Sequence, residues 1–156
     1  IGGAMLGVQA IKGVEIGPAF ENAGLPGTKV HDPIILERGS LSRSSNNAGG
    51  LEGGMTNGEP LVVRAAMKPI ATTLNPQDTV DLVEKKAVKT TYERSDYCPV
   101  PRAVPVLEAM VAYVLADALL EKLGGDSIDE ITPRYQALRT NRLDDIEVLG
   151  GTHTFW

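Results

Sequence analysis

Residues 46–68 read NNAGGLEGGMTNGEPLVVRAAMK, and the fold turns on how this stretch is taken. Gly49, Gly50, Gly53 and Gly54 fall within six positions, and Asn57-Gly58 closes the run. Glycine reaches positive φ at no steric cost and leaves its backbone uncovered. Such a run lets main-chain N–H groups approach a flat or anionic ligand. The segment from Leu61 to Lys68 is apolar enough for a strand. A period of two then puts Val62, Arg64, Ala66 and Lys68 on one face, so two cations point the same way. Pro69 ends the strand, and Thr72 and Thr73 add two hydroxyls. Together these groups suit a phosphate-bearing ligand. A glycine-rich hairpin with a solvated basic edge accounts for the same pattern. Neither standard nucleotide motif is present: no glycine precedes a Lys-Ser or Lys-Thr pair, and no G-x-G-x-x-G opens a helix.

Upstream of this stretch, residues 1–10 read as the end of a helix. Lys12 to Ile16 predicts a strand with Val14 and Ile16 on one face and Glu15 on the other, stopped by Gly17-Pro18. Ala19 to Ala23 allows one helical turn. Residues 29–46 hold His31-Asp32-Pro33, the apolar Ile34-Ile35-Leu36 and a Ser/Arg-rich segment. That segment reads either as a ligand-dependent loop or as a plain surface loop.

Downstream, Thr79–Val83 and Ala87–Tyr92 flank the charged turn Glu84-Lys85-Lys86, which predicts a hairpin leading into Arg94-Ser95-Asp96-Tyr97-Cys98. The clearest helix runs over 103–123, with Pro101 ahead of it and Gly124-Gly125 as its stop. Apolar residues go nearly all the way round it, the mark of a helix covered on several sides. Glu108 lies in that surface and needs a partner if buried. Ser127 and Glu130 form a capping box. Pro133 conflicts with one continuous helix unless the helix starts near Thr132. Residues 143–156 read as a tail.

A chain of 156 residues, 42% of them hydrophobic, can make one domain with a real core. A net charge of −5 and an aromatic content of 4% argue against a nucleic-acid binder, which needs a basic stripe and stacking platforms. No apolar run reaches the length of a membrane span, and no signal peptide opens the chain. The single cysteine, Cys98, rules out an internal disulfide and fits a reducing compartment. A soluble cytoplasmic protein, with no membrane partner, is the expectation. His31 and His153 lack metal-ligand spacing, so no metal is expected. The start at Ile1, with no N-cap signal ahead of apolar residues, reads as cut from a longer polypeptide.

Several motifs occur in one order: Lys12-Gly13-Val14-Glu15-Ile16-Gly17, the run from Asn46 to Gly58, Lys68-Pro69, Arg94-Ser95-Asp96, and the stretch from Pro101 to Met110. Together they resemble the C-terminal part of chorismate synthase, over residues 4 to about 125. The resemblance implies an α+β fold, a β-α-β sandwich in which long buried helices lie between antiparallel sheets. Residues 1–125 would belong to that domain, with 126–156 a C-terminal helix and tail.

The resemblance further implies a lyase of the shikimate pathway, supplying aromatic amino acid biosynthesis. Its family converts 5-enolpyruvylshikimate-3-phosphate to chorismate by a 1,4-elimination that requires reduced FMN, and relatives are homotetramers. Whether NADPH reduces the flavin on the protein stays open. Asn47 and Ala48 match the flavin-contacting loop. Lys68, Thr72 and Thr73 match the segment at the ribityl and phosphate part. Arg94 and Ser95 match positions near flavin and substrate, although many relatives carry His at Ser95 and Pro at Tyr97. Asp96 matches the aspartate near flavin N5 that helps move the proton. From spacing alone, Asp96 paired with Arg94 at a strand end is the preferred reading, and the resemblance reverses it. The family's two catalytic histidines and most of its substrate-phosphate arginines have no counterpart in this sequence.

Overall fold

Among residues 1–93 and 97–138, which this computed structural model describes, every strand is half of a two-stranded ladder. The order along the chain is α1 (Gly2–Leu6), β1 (Ile11–Ile16), α2 (Ala19–Asn22), a 3-10 turn (Gly27–Lys29), β2 (Ile34–Glu37), β3 (Ser40–Arg43), β4 (Leu51–Glu52) and β5 (Met55–Thr56). Then come β6 (Val63–Met67), β7 (Asp78–Asp81), β8 (Lys86–Lys89), α3 (Val100–Leu123) and α4 (Ile128–Ala137). The ladders are β1-β6, β2-β3, β4-β5 and β7-β8. Small antiparallel sheets with helices make the described chain α+β, as its sequence implied. Two compact units are distinguished: Ile1–Val14 with Ala65–Val114, and Glu15–Arg64 with Leu115–Trp156.

In the first unit, Met5, Ile11 and Ala103 are buried, and the Lys68 N–H donates to the Ala10 carbonyl at 2.8 Å at one end of β1-β6. The β7-β8 hairpin pairs Asp78 with Lys89 and Asp81 with Lys86. Asp81 Oδ1 accepts from the Val83 and Glu84 N–H groups (2.8 and 3.0 Å), an Asx-type turn that closes the loop between them.

The second unit contains the other end of that ladder, where the Gly17 N–H donates to the Val62 carbonyl at 2.8 Å. The Ser/Arg-rich segment is an ordered hairpin here rather than a loop: β2 pairs with β3 from Ile34↔Arg43 to Glu37↔Ser40. Arg38 (φ 51°) and Gly39 (φ 82°) form its two-residue turn. Positive φ at both positions matches the twist of flanking strands, so the turn selects the hairpin although Ser40 and Ser42 are weak strand formers. Gly53 (φ 59°) and Gly54 (φ 81°) do the same for β4-β5.

α3 begins at Val100, so Pro101 sits in its first turn where no N–H is needed. Gly124 (φ 60°) ends it, its N–H donating to the Leu120 carbonyl at 2.8 Å. The all-round apolar surface is present, but its cover is not among the described residues: Leu120 is 52% and Tyr113 72% exposed. Glu108 is exposed too and needs no buried partner. α3 is also long and apolar enough to cross a membrane by length and composition, which corrects the expectation that no run qualifies. Glu108 and Asp117 break the run when it is read residue by residue, and average composition passes over them. α4 is one continuous helix through Pro133, with Ser127 Oγ accepting the Glu130 N–H at 3.3 Å. Thr132 Oγ1 donates to the Ile128 carbonyl at 2.7 Å, which holds the turn ahead of the proline.

Candidate functional site

The turn at residues 46–51 is built around a carboxylate that the sequence did not single out. Asp32 is 7% exposed. Its Oδ1 accepts from Ser45 Oγ (2.6 Å) and the Asn47 N–H (2.7 Å), and its Oδ2 from the Ala48 N–H (2.7 Å). Burial pushes its pKa up, but the bonds from Ser45, Ala48 and Asn47 outweigh that and hold it below the ordinary 3.8. Pro33 follows Asp32 and Arg43 Nη1 donates to the Asp32 carbonyl at 2.8 Å, so the main chain bearing the carboxylate is itself tied down. Arg43 Nη2 reaches Glu52 at 2.6 Å, and Asn57 Nδ2 donates to the same Glu52 oxygen at 3.0 Å.

The next amides are also taken. Gly49 N–H donates to the Asn46 carbonyl (3.2 Å), Gly50 N–H to Asn46 Oδ1 (2.8 Å), and Leu51 N–H to the Ala48 carbonyl (3.3 Å). Every N–H from Asn47 to Leu51 therefore has an internal acceptor. Gly17, Gly49 and Gly50 are required by close backbone packing. A Cβ on Gly49 (φ 61°) would overlap Gly17 N and lie 2.6 Å from Gly17 Cα, and one on Gly17 (φ 60°) would lie 2.6 Å from the Asn47 carbonyl oxygen. Over Asn47–Leu51 the expectation that the run cradles phosphate through its amides is not met, because those amides already have acceptors, Asp32 among them. What the turn can still present is the half-buried Asn47 carboxamide, with Nδ2 only 3.4 Å from Ser45 Oγ, and the Ala48 side.

Asn47 and Ala48 belong to the second unit, whereas Lys68, Thr72 and Thr73 belong to the first. Lys68 is exposed at the end of β6. The other strand cation, Arg64, is neutralised by Glu15 at 3.0 Å. The Glu15 carboxylate in this pair is largely shielded from water, and the contact removes Arg64 as a free ligand group. Thr72 Oγ1 lies 3.4 Å from the Glu93 carbonyl, and Thr73 Oγ1 donates to the Asn75 carbonyl at 2.9 Å. Arg94, Ser95 and Asp96 lie outside the described residues. Cys98 is exposed, and no cluster of metal-ligating side chains occurs among the described residues.

Asp32 escaped sequence reading because His31-Asp32-Pro33 sits in a stretch taken as loop. The available signal was an aspartate fixed by a following proline, upstream of a glycine-rich turn.

Residues 1–120 match the family model described as chorismate synthase. A chorismate synthase of Trichlorobacter lovleyi is 59% identical over 136 residues, covering 82% of this chain and 35% of the relative. One of Chlorobaculum tepidum is 53% identical over 138 residues, covering 87% and 34%. A solved structure titled "Crystal Structure of Chorismate Synthase" superposes with a TM-score of 0.69 at 47% identity, covering 87% of this chain and 34% of that one. The chain spans about a third of the length of the curated relatives it matches.

Proposed function

This chain belongs to the chorismate synthase family, and on that premise we propose that it serves the 1,4-elimination of phosphate from 5-enolpyruvylshikimate-3-phosphate, giving chorismate with reduced FMN. The observation that carries this reading is the family match over residues 1–120, which includes every residue assigned below. The residues present fit the flavin in part. In the second unit, Ala48 and the Asn47 carboxamide would meet the flat ring, while Lys68, Thr72 and Thr73 of the first unit are assigned to its phosphate and ribityl part by the family resemblance alone. The glycine turn does not fit a phosphate, because its amides are filled.

When bound, reduced FMN supplies electron density beside the substrate ring. The chain's own residues then have separable roles. Asn47 would orient the ring edge through its carboxamide, and Lys68 would neutralise the phosphate end of the cofactor. By the family resemblance, Arg94 and Ser95 would act near flavin and substrate, and Asp96 would hold and pass on a proton near flavin N5. A carboxylate does this best when desolvation raises its pKa toward the working pH. We place the enzyme in the cytoplasm as a homotetramer, with residues 1–125 in the family's domain and α3 as one of its covered helices.

Two measurements test this reading. Intact protein should form chorismate from 5-enolpyruvylshikimate-3-phosphate only when reduced FMN is supplied, and no product under those conditions would overturn it. Asp96→Asn should cut turnover by about a hundredfold or more, the usual scale of proton-transfer catalysis, while leaving FMN affinity nearly unchanged. Undiminished turnover would remove Asp96 from the mechanism.

A second reading concerns the 156-residue polypeptide on its own, and the one-third span of its relatives favours it. Alone, it would bind flavin weakly or associate, and catalyse nothing. Chorismate formation by a sample whose intact mass is 16.6 kDa would rule this out.

A further inference from the structure

We propose that Asp32 is a positioning residue for the flavin, acting as a built-in anion that sets the Asn47–Ala48 turn before any ligand arrives. This rests on the reading that Asn47 and Ala48 contact the flavin. Among the described residues Asp32 is the only buried polar or charged one, and none of the groups bonded to its carboxylate, the Asn47 side chain included, carries a charge. A buried carboxylate without a cationic partner is costly unless dipoles replace its hydration. Here Ser45 Oγ–H and two successive backbone N–H groups do so at 2.6–2.7 Å, the short range of charge-assisted bonds.

The chemistry demands a carboxylate at this length. Two consecutive N–H groups each need an acceptor, and the two oxygens of one Asp side chain supply one each. A carboxamide has one oxygen, so its NH2 would face a donor. A Glu side chain is one methylene too long for the fixed span between Asp32 and the turn. Arg43 enforces that span by holding the Asp32 carbonyl at 2.8 Å. The Asn47 carbonyl is held too, by Asn22 Nδ2 at 3.1 Å. With both its N–H and its C=O fixed, Asn47 has a set Cα–Cβ direction, and its Nδ2 lies 3.4 Å from Ser45 Oγ.

The test uses intact protein, wild type against Asp32→Asn and the milder Ser45→Ala. FMN affinity is read by fluorescence quenching, and the bound flavin by the fine structure of its visible absorption band. Amide hydrogen exchange at Asn47 and Ala48 is measured without ligand. Wild type should protect both amides. Asp32→Asn should expose them, weaken FMN binding about tenfold, the effect of losing one charged hydrogen bond, and blur the flavin band. Ser45→Ala, which keeps both backbone bonds, should weaken binding only a few-fold and keep its fine structure. At saturating FMN the KM for 5-enolpyruvylshikimate-3-phosphate should be unchanged in both, whereas a general loss of fold would raise it. Unaltered FMN affinity and spectrum in a folded Asp32→Asn protein would overturn the role of Asp32 alone. A wild type that binds no FMN would overturn the flavin reading and this role together.

Discussion

Asp32 gives the second unit a definite dependence on acid. Its folded pKa is held below the ordinary carboxylate value, so it contributes stability above the unfolded pKa that is lost as pH falls through the folded one. Its carboxylate contacts, Ser45 and the Asn47 and Ala48 amides, do not titrate in this range. Unfolding free energies measured from about pH 7 down to about pH 2 should therefore show wild type more stable than Asp32→Asn by ~2 kcal/mol near neutrality. That gap should begin to narrow as pH falls past the ordinary carboxylate value of about 3.9, and it should close only once pH has fallen below the lower folded value of Asp32. A gap constant across this range would mean that the charge of Asp32 is not what stabilises the turn. Gly49 makes a second expectation at the same scale. Gly49→Ala forces a Cβ into Gly17 at φ 61° and should cost at least ~2 kcal/mol by chemical denaturation, whereas Gly53→Ala meets open space and carries only the cost of its positive φ.

At the scale of elements, the hairpins show what local chemistry decides. Arg38 occupies a left-handed position that suits Asn or Gly better. Arg38→Asn should raise stability by ~0.5–1 kcal/mol by thermal or denaturant unfolding, and a loss would mean that the Arg38 side chain contributes more than its backbone strain takes away. The β7-β8 hairpin, α3 and the Ser127 cap were legible because their signals lie within a few neighbouring residues. β3 was not: Ser40-Leu41-Ser42-Arg43 has little strand propensity, and only pairing with the apolar β2 makes it a strand. Pro133 misled in the other direction, since a ten-residue helix tolerates one missing N–H where Thr132 ties back to Ile128. Motif order made the family itself readable, since the motifs from Lys12 to Met110 all fall within the matched residues 1–120. The occupation of the glycine-turn amides was not, because their acceptor lies fifteen residues upstream of Asn47.

For the whole molecule, the balance of covered and bare apolar surface decides behaviour. Val106, Tyr113 and Leu120 are exposed along one face of α3, and Val104 and Leu119 are exposed on the other side, more bare apolar surface than a lone chain usually carries. The 156-residue polypeptide by itself should therefore self-associate. Sedimentation should show species heavier than 16.6 kDa whose proportion rises with concentration, and a strictly monomeric profile would mean that the chain covers α3 by itself. Polar substitutions at Tyr113 and Leu120 should restore monomers in the isolated chain. In the intact protein the same changes should be destabilising, because there we expect α3 to be covered. The clasp between Asp32 and the glycine turn bears on kinetics. A turn already ordered has no entropy left to lose when a ligand arrives. It therefore cannot be the origin of any slow isomerisation seen in stopped-flow mixing, and a rate that levels off with rising ligand concentration would have to report motion elsewhere in the chain.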